Sequence, residues 1–318
     1  MPSNYLHDHK DFLDLLRILE DETGIQAGLI EKDYWIMHVL YGLKKQNFDF
    51  ELKGGTSLSK GYKIISRFSE DIDIHIKAPA ELGVNENPKN TKAKAVESRK
   101  DFYDWLAKNI NIDGITSIER DTNFDDTDHY RSGGIRLNYA TRTDPIDGVK
   151  EGILLEAGFD TVTPNQKLTI SSWAYDKAIA NPKIKIIDNR ATDIICYHPG
   201  YTFVEKLQTI ATKFRQEQQG AEPRANLMRQ YYDVSRLLEN GQVKKFIGTD
   251  EYQAHKKTRF PTQDFNIPIA ENEAFLLSDP EMRDKFQKRY KATSSLYYDG
   301  QPEFSDILGT IQENLDRL

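Results

Sequence analysis

Lys53-Gly54-Gly55-Thr56-Ser57 and, one short stretch later, Arg67-Phe68-Ser69-Glu70-Asp71-Ile72-Asp73-Ile74 decide how this chain is read. Ile72, Ile74 and Ile76 alternate with Asp71, Asp73 and His75, the period of a strand with one apolar and one polar face. Asp71 and Asp73 therefore project together. Two adjacent carboxylates repel, and something cationic between them relieves the cost. Magnesium suits the position, because it is held by one or two carboxylates plus substrate phosphates. A solvated strand face is the plain alternative. Against it, Asp is depleted from strands, yet three acidic residues fall within four positions from Glu70 to Asp73. The paired glycines upstream permit a tight turn and a close backbone approach to a ligand. Thr56 and Ser57 then fall where a helix begins, a place that favours phosphate, although a plain Ser/Thr cap needs the same residues.

Working outward, residues 11–24 and 31–45 carry helical apolar spacing, and 48–52 alternate like a strand. Residues 58–65 are expected to be helical, 79–90 to be a loop and 93–110 to be a helix. Short β-like runs follow at 114–119, 134–139, 152–157, 167–172 and 183–188, separated by Gly, Asp and Pro. From residue 201 the pattern turns helical, at 202–216, 226–238, 272–278, 281–290 and 303–318. An α+β chain is expected, with a mixed α/β part over 1–195 and a helical part over 196–318.

The bulk numbers narrow the function. The 318 residues are 38% hydrophobic and 29% charged, and no stretch approaches the roughly 20 apolar residues of a membrane span. Residues 1–10 lack an apolar signal core, and Cys196 is the single cysteine, which excludes a disulfide framework and a cysteine-based zinc site. A cytoplasmic location is the expectation. The net charge of −7 is not that of a chain built for general polyanion binding, so a nucleic-acid partner would need a local basic patch. Lys256, Lys257, Arg259, Arg283, Lys285, Lys288 and Arg289 are the candidates, with ordinary solvated helix charge as the alternative. His7 and His9 are expected in a solvated terminus, and His75 shares the face of Asp71 and Asp73. Tyr231 and Tyr232 are read as packing.

A glycine turn with a hydroxyl residue, a helix and Asp-x-Asp on the next strand resembles the polymerase-β-like nucleotidyltransferases. Glu31-Lys32-Asp33-Tyr34-Trp35, Lys53-Gly54-Gly55-Thr56-Ser57-Leu58 and Arg67-Phe68-Ser69-Glu70-Asp71-Ile72-Asp73 together resemble, more narrowly, the AbiEii/AbiGii toxin family. Two downstream motifs fit as well, Glu205-Lys206-Leu207 and Arg229-Gln230-Tyr231-Tyr232-Asp233. On helix spacing alone these are a surface Glu–Lys and an Arg229–Asp233 pair at i, i+4.

The resemblance implies a polymerase-β-like domain with a mixed sheet, followed by a helical domain. It implies a metal-dependent transfer of a nucleoside monophosphate from a nucleoside triphosphate to an acceptor. Asp71, Asp73, Lys206 and Asp233 would be catalytic. Gly54, Gly55, Thr56, Ser57, Lys60 and Lys206 would bind the nucleotide. Asp71 and Asp73 would hold Mg2+ or Mn2+, with Glu156 as a third carboxylate that spacing alone does not assign. Glu31, Lys32 and Asp33 match a family motif, but capping and surface charge explain them equally well. The implied partners are a nucleoside triphosphate, an RNA acceptor (the 3′ end of transfer RNA) and an antitoxin, with no membrane. Nucleotidylation of a protein hydroxyl and non-catalytic nucleotide or RNA binding are the alternatives.

Overall fold

The computed structural model describes residues 4–146, 148–160, 162–224 and 226–318. The chain divides into two compact units, Met1–Gly61 with Phe68–Tyr197, and Tyr62–Arg67 with His198–Leu318.

The first unit is built on one sheet. Its strands are β1 (Phe50–Lys53), β2 (Asp71–Ile76), β3 (Ile115–Arg120), β4 (Ser132–Tyr139), β5 (Ile153–Gly158), β6 (Asn165–Ile170) and β7 (Ala191–Tyr197). They run in the order β3-β4-β5-β2-β1-β7-β6. The pairs β2–β5 and β1–β7 are parallel, and the others are antiparallel. The sheet is therefore mixed and the fold is α+β, as the sequence pattern implies. β2 buries Ile72, Ile74 and Ile76 completely on one face and leaves Asp71, Asp73 and His75 half-buried on the other. Each buried isoleucine is worth about 1.5–3 kcal/mol, which fixes the register and with it the face that Asp71 and Asp73 occupy.

Two helices precede the sheet, α1 (Phe12–Thr23) and α2 (Ala27–Lys45). α1 is amphipathic and ends on Gly24 in the left-handed conformation. α2 is different. It packs against α1, the helix Trp173–Ile179, β5 and β7, so almost every side is covered. The expected strand at 183–188 is irregular instead. Its Ile184 and Ile187 amides bond to the carbonyls of Asn181 and Asn4, not to a strand. β7 lies a few residues later. It is flanked on both sides, with Ile194, Cys196 and Tyr197 buried, and so shows little of the alternation that marks a half-exposed strand. Burial also pushes the Cys196 thiol up to about 12. The expected helix at 58–65 stops at Gly61, and Lys63 adopts φ 55°.

The second unit is helical. Pro199–Gln218, Leu227–Glu239, Asp250–Arg259, Pro280–Lys291 and Phe304–Gln312 are its main helices. Phe203, Leu207, Tyr231, Phe286 and Phe304 fill its core. Tyr231 is fully buried and donates to the Ala274 carbonyl at 2.6 Å, a packing role as read. The expected helix at 272–278 is one turn, Glu273–Leu276, ended by Leu277 at φ 43°. Among the described residues no helix is long and apolar enough to cross a membrane.

His7 is buried, contrary to the expectation of a solvated terminus. Its Nδ1 lies 2.8 Å from the Tyr34 hydroxyl, to which Asn189 Nδ2 also donates at 3.0 Å. His38 is buried beside them. Its Nε2 donates to the Asp113 carbonyl at 2.8 Å, and its Nδ1 meets the Asn189 amide nitrogen at 2.8 Å. Burial lowers its pKa from 6.5 to about 4, and the neighbouring His7 adds to the effect. The unfolded chain therefore takes up this proton first. The stability of the neutral ring is complete above about pH 6.5 and is lost as pH falls towards 4, by up to about 3 kcal/mol. The melting temperature should drop across that window. His38→Gln should flatten the drop, and parallel curves for both proteins would show that the ring does not titrate there.

Candidate active site

The register of the sheet builds the site. Asp73 on β2 lies opposite Lys53 on β1 and opposite Glu156 on β5, and Glu156 in turn faces Gly134 on β4. One row across four strands thus reads Lys53, Asp73, Glu156, Gly134. Asp71 stands two residues along β2 on the same face. His75 stands in the next row between Glu51 and Gly158, and its Nδ1 is buried with no hydrogen-bond partner among the described residues. Glu156 is therefore the strand neighbour of the Asp-x-Asp pair.

Three carboxylates crowd one face. Burial raises Asp71, and repulsion from Asp73 raises it further. Glu156 is pushed up to about 8, first by burial and then by Asp73 and Asp71, while Lys53 and Lys150 pull the other way. Among the described residues no three His, Cys, Asp or Glu side chains form a group that could hold a metal ion by themselves. Two carboxylates completed by substrate phosphates are the usual coordination of magnesium, and the all-oxygen donor set here suits that hard ion.

The glycine turn is packed onto these aspartates. Gly54 has φ +72°, and a Cβ on it would fall 2.2 Å from Asp73 Oδ2. A residue with a side chain is thus excluded twice, by conformation and by contact. Thr56 donates to the Asp71 carbonyl at 2.6 Å, and Ser57 donates to the Gly54 carbonyl at 2.9 Å. Both hydroxyls are completely buried. After one turn over Gly54–Thr56 the chain widens into a π-helical turn over Ser57–Gly61. Lys60, expected to bind nucleotide, is engaged elsewhere. Its Nζ lies 2.7 Å from Asp33 Oδ1 and 4.6 Å above the Trp173 ring.

Glu31, Lys32 and Asp33 are neither a cap nor surface charge. They sit in the second turn of α2, each at most 2% exposed. Glu31 accepts from the Arg142 and Thr143 amides and from the Thr141 and Thr143 hydroxyls. Lys32 donates to the Lys150 carbonyl and lies 4.0 Å from Glu70. Asp33 accepts from the Trp173 amide at 2.9 Å and pairs with Lys60. Burial lowers Lys32 to about 8, while Glu70 and Asp71 oppose the shift. Three successive residues on one turn thus reach three different segments. Nothing local in the sequence points to those partners.

Lys206 and Asp233 come together in the second unit. Asp233 is fully buried, and Lys206 Nζ lies 2.7 Å from its Oδ2. The other partner of Asp233 is Arg67, which binds both carboxylate oxygens at 2.7 and 2.6 Å. Burial alone would raise this carboxyl, but Arg67 and Lys206 hold it below the usual range. Lys206 also donates to Gln230 at 2.9 Å. Arg67 lies four residues before Asp71 in the motif, and no local pattern reveals its role because its partner lies 166 residues away. The basic residues of this unit are largely committed. Arg289 binds Glu217, Arg283 donates to the Leu277 carbonyl, Lys288 pairs with Asp284, Arg259 with Glu205, and Lys256 donates to the Leu318 carbonyl.

Comparison with known proteins gives the family. The profile of the family described as "Nucleotidyl transferase AbiEii toxin, Type IV TA system" matches residues 38–310. The chain belongs to that family and is a nucleotidyltransferase. No curated protein matches it. Among solved structures it is similar to an antigenic nucleotidyltransferase-like protein from Paracoccidioides brasiliensis, at 12% identity and a TM-score of 0.37, over 80% of this chain and 92% of that one.

The crowding of carboxylates has a measurable consequence. Glu156→Gln removes a group that burial and two aspartates destabilise when charged, so the metal-free protein should melt higher, by about 2–4 °C per kcal/mol relieved. Because the unfolded carboxyl ionises near 4.5 and the folded one only near 8, the gain should grow as pH rises from about 4.5 to about 8 and level off above that. Gly54→Ala should act oppositely, lowering the melting temperature by displacing Asp73. An Ala variant as stable as the parent would show that the close contact yields without cost.

Proposed function

We propose that this AbiEii-family nucleotidyltransferase moves a nucleoside monophosphate from a nucleoside triphosphate to the terminal hydroxyl of an RNA, foremost the 3′ end of transfer RNA. In this reading it is the toxin of a type IV toxin–antitoxin pair, acts in the cytoplasm and is opposed by a cognate antitoxin. One observation carries the chemistry. Asp73 and Glu156 stand opposite each other on parallel neighbours, with Asp71 on the same face and the glycine turn packed onto Asp73.

Asp71 and Asp73 are the groups that would hold Mg2+ or Mn2+, with substrate phosphates completing the set. When bound, such an ion neutralises phosphate charge and polarises the α-phosphoryl group. The residues of the chain do the rest. The backbone at Gly54 and Gly55 admits the outer phosphates without side-chain obstruction, beside Thr56 and Ser57. Lys206 adds a compact positive charge for the triphosphate, held in place by Asp233 and Gln230. The acceptor oxygen bonds to the α-phosphorus as the bond to the β-phosphate oxygen breaks, and pyrophosphate leaves. A carboxylate beside the Asp-x-Asp pair would take the hydroxyl proton, and Glu156, opposite Asp73 on the neighbouring strand, is the candidate.

Transfer to a protein hydroxyl is the second reading. It is favoured by the commitment of Arg283, Lys288 and Arg289 to local partners, which removes the basic patch expected to bind RNA. A non-catalytic binder has no need of crowded carboxylates. The test is incubation with each α-labelled triphosphate, magnesium or manganese, and total cellular RNA and protein. Label should enter the small-RNA fraction and disappear in Asp71→Asn and Asp73→Asn, at least 100-fold below the parent (on the order of the loss when a charge-stabilising group is removed), with the fold intact. Label in protein alone would favour the second reading. No transfer from any triphosphate, or full activity in either Asn variant, would overturn the assignment.

A further inference from the structure

The first unit contains a pocket of about 210 Å3 between the start of α2 and the β4–β5 connection, walled by Lys32, Tyr139, Thr143, Ile146, Val149 and Lys150. A cavity of about 150 Å3 accommodates a benzene ring, so this pocket is on the scale of a single sugar or base and not of a duplex. Glu70, the residue before Asp71, accepts from the Lys150 amide and lies 4.0 Å from the Lys32 ammonium. The pocket therefore adjoins the strand end at which Asp71 stands.

Which substrate enters it follows from sidedness. β2 lies between β1 and β5. The glycine turn continues from β1 and packs onto Asp73 from that flank, while Glu156 and the β4–β5 connection stand on the other. Phosphoryl and nucleotidyl displacements place the attacking and leaving oxygens roughly in line across phosphorus. With pyrophosphate leaving on the glycine-turn flank, the acceptor must arrive from the β5 flank, where Val149, Lys150 and Gly152 line the pocket.

The construction of the connection supports a working role. Its exposed backbone is held by buried charges. Glu31 binds the amides of Arg142 and Thr143. Lys32 takes the Lys150 carbonyl, and Glu70 accepts from the Lys150 amide at 3.2 Å. Burying Glu31, Lys32 and Glu70 costs desolvation, and a merely connecting loop gains little from such anchoring. A loop that must present residues to a substrate gains precision from it. Those residues suit an RNA end. Tyr139, stacked on Trp35 with centroids 4.7 Å apart, puts an aromatic ring in the wall, and unpaired bases stack on such rings. Lys150 is exposed, its ammonium 4.2 Å from the Phe124 ring, and offers a charge to phosphate.

We propose that this pocket receives the terminal nucleotide of the RNA acceptor, with Tyr139 and Lys150 as contacts and Glu31, Lys32 and Glu70 as positioning residues for the connection. The proposal rests on the RNA-transfer reading above. Two variants test it, with total transfer RNA as acceptor. Val149→Trp fills the pocket. It should raise KM for RNA at least tenfold and leave binding of the α,β-methylene analogue of the transferred triphosphate within twofold. Lys150→Gln should lower the slope of log KM for RNA against log salt by about one, the signature of one lost phosphate contact. If Val149→Trp does not fold, the Lys150→Gln slope decides. Unchanged RNA kinetics in both variants, or a rise in KM for triphosphate in place of RNA, would overturn the pocket while the transferase reading stands. A parent protein that labels no RNA would overturn that reading, and the pocket with it.

Discussion

The mutual repulsion of Asp71, Asp73 and Glu156 is the constraint to which the surrounding structure answers. Carboxylates at this depth are costly, and the fold contains the cost by fixing their backbone from every side. Three buried isoleucines hold β2 from below. Thr56 holds the Asp71 carbonyl. Gly54 packs so closely on Asp73 that a Cβ there would displace the carboxylate. Lys53 faces Asp73 across one ladder, and Lys32 and Lys150 stand beyond Asp71. Stability spent in this way is typical of sites that await a charged ligand.

The second unit handles its buried charge differently. Asp233 is fully ionised in the interior because two cations meet it, one of them through a bidentate guanidinium. A satisfied cluster of this kind resists change. Removing either cation leaves the buried carboxylate with one cationic partner in place of two, so Lys206 cannot be altered without disturbing Asp233.

What was legible in the sequence was what local periodicity encodes. The alternation of isoleucine with aspartate announced β2 and its polar face, and the glycine pair announced the turn. The doubly flanked β7 gave no such signal, because neither of its faces is polar enough to alternate. The charges of Glu31, Lys32 and Asp33 looked like ordinary helix surface, since only tertiary neighbours reveal that α2 is enclosed. Asp233 appeared to have Arg229 as its partner at helical spacing, whereas its bidentate partner is Arg67, far away in sequence. Likewise Arg283 and Arg289 read as a free basic patch until the Leu277 carbonyl and Glu217 were seen to occupy them. Spacing held where one face is polar and one apolar, as along β2, failed at 183–188 and 272–278, and said nothing of pairing between elements.

The strand order also governs when activity can first exist during synthesis. β2 acquires its parallel neighbour only with β5, and β1 acquires its own only with β7, more than a hundred residues downstream. A ribosome-bound chain ending before residue 153 carries the two aspartates without Glu156, and one ending before residue 191 leaves β1 with an open flank. Such long-range pairings form late and slowly. The row that joins Asp73 to Glu156 is thereby incomplete until β5 has been made, so the face that gathers the carboxylates is among the later features of the sheet to close.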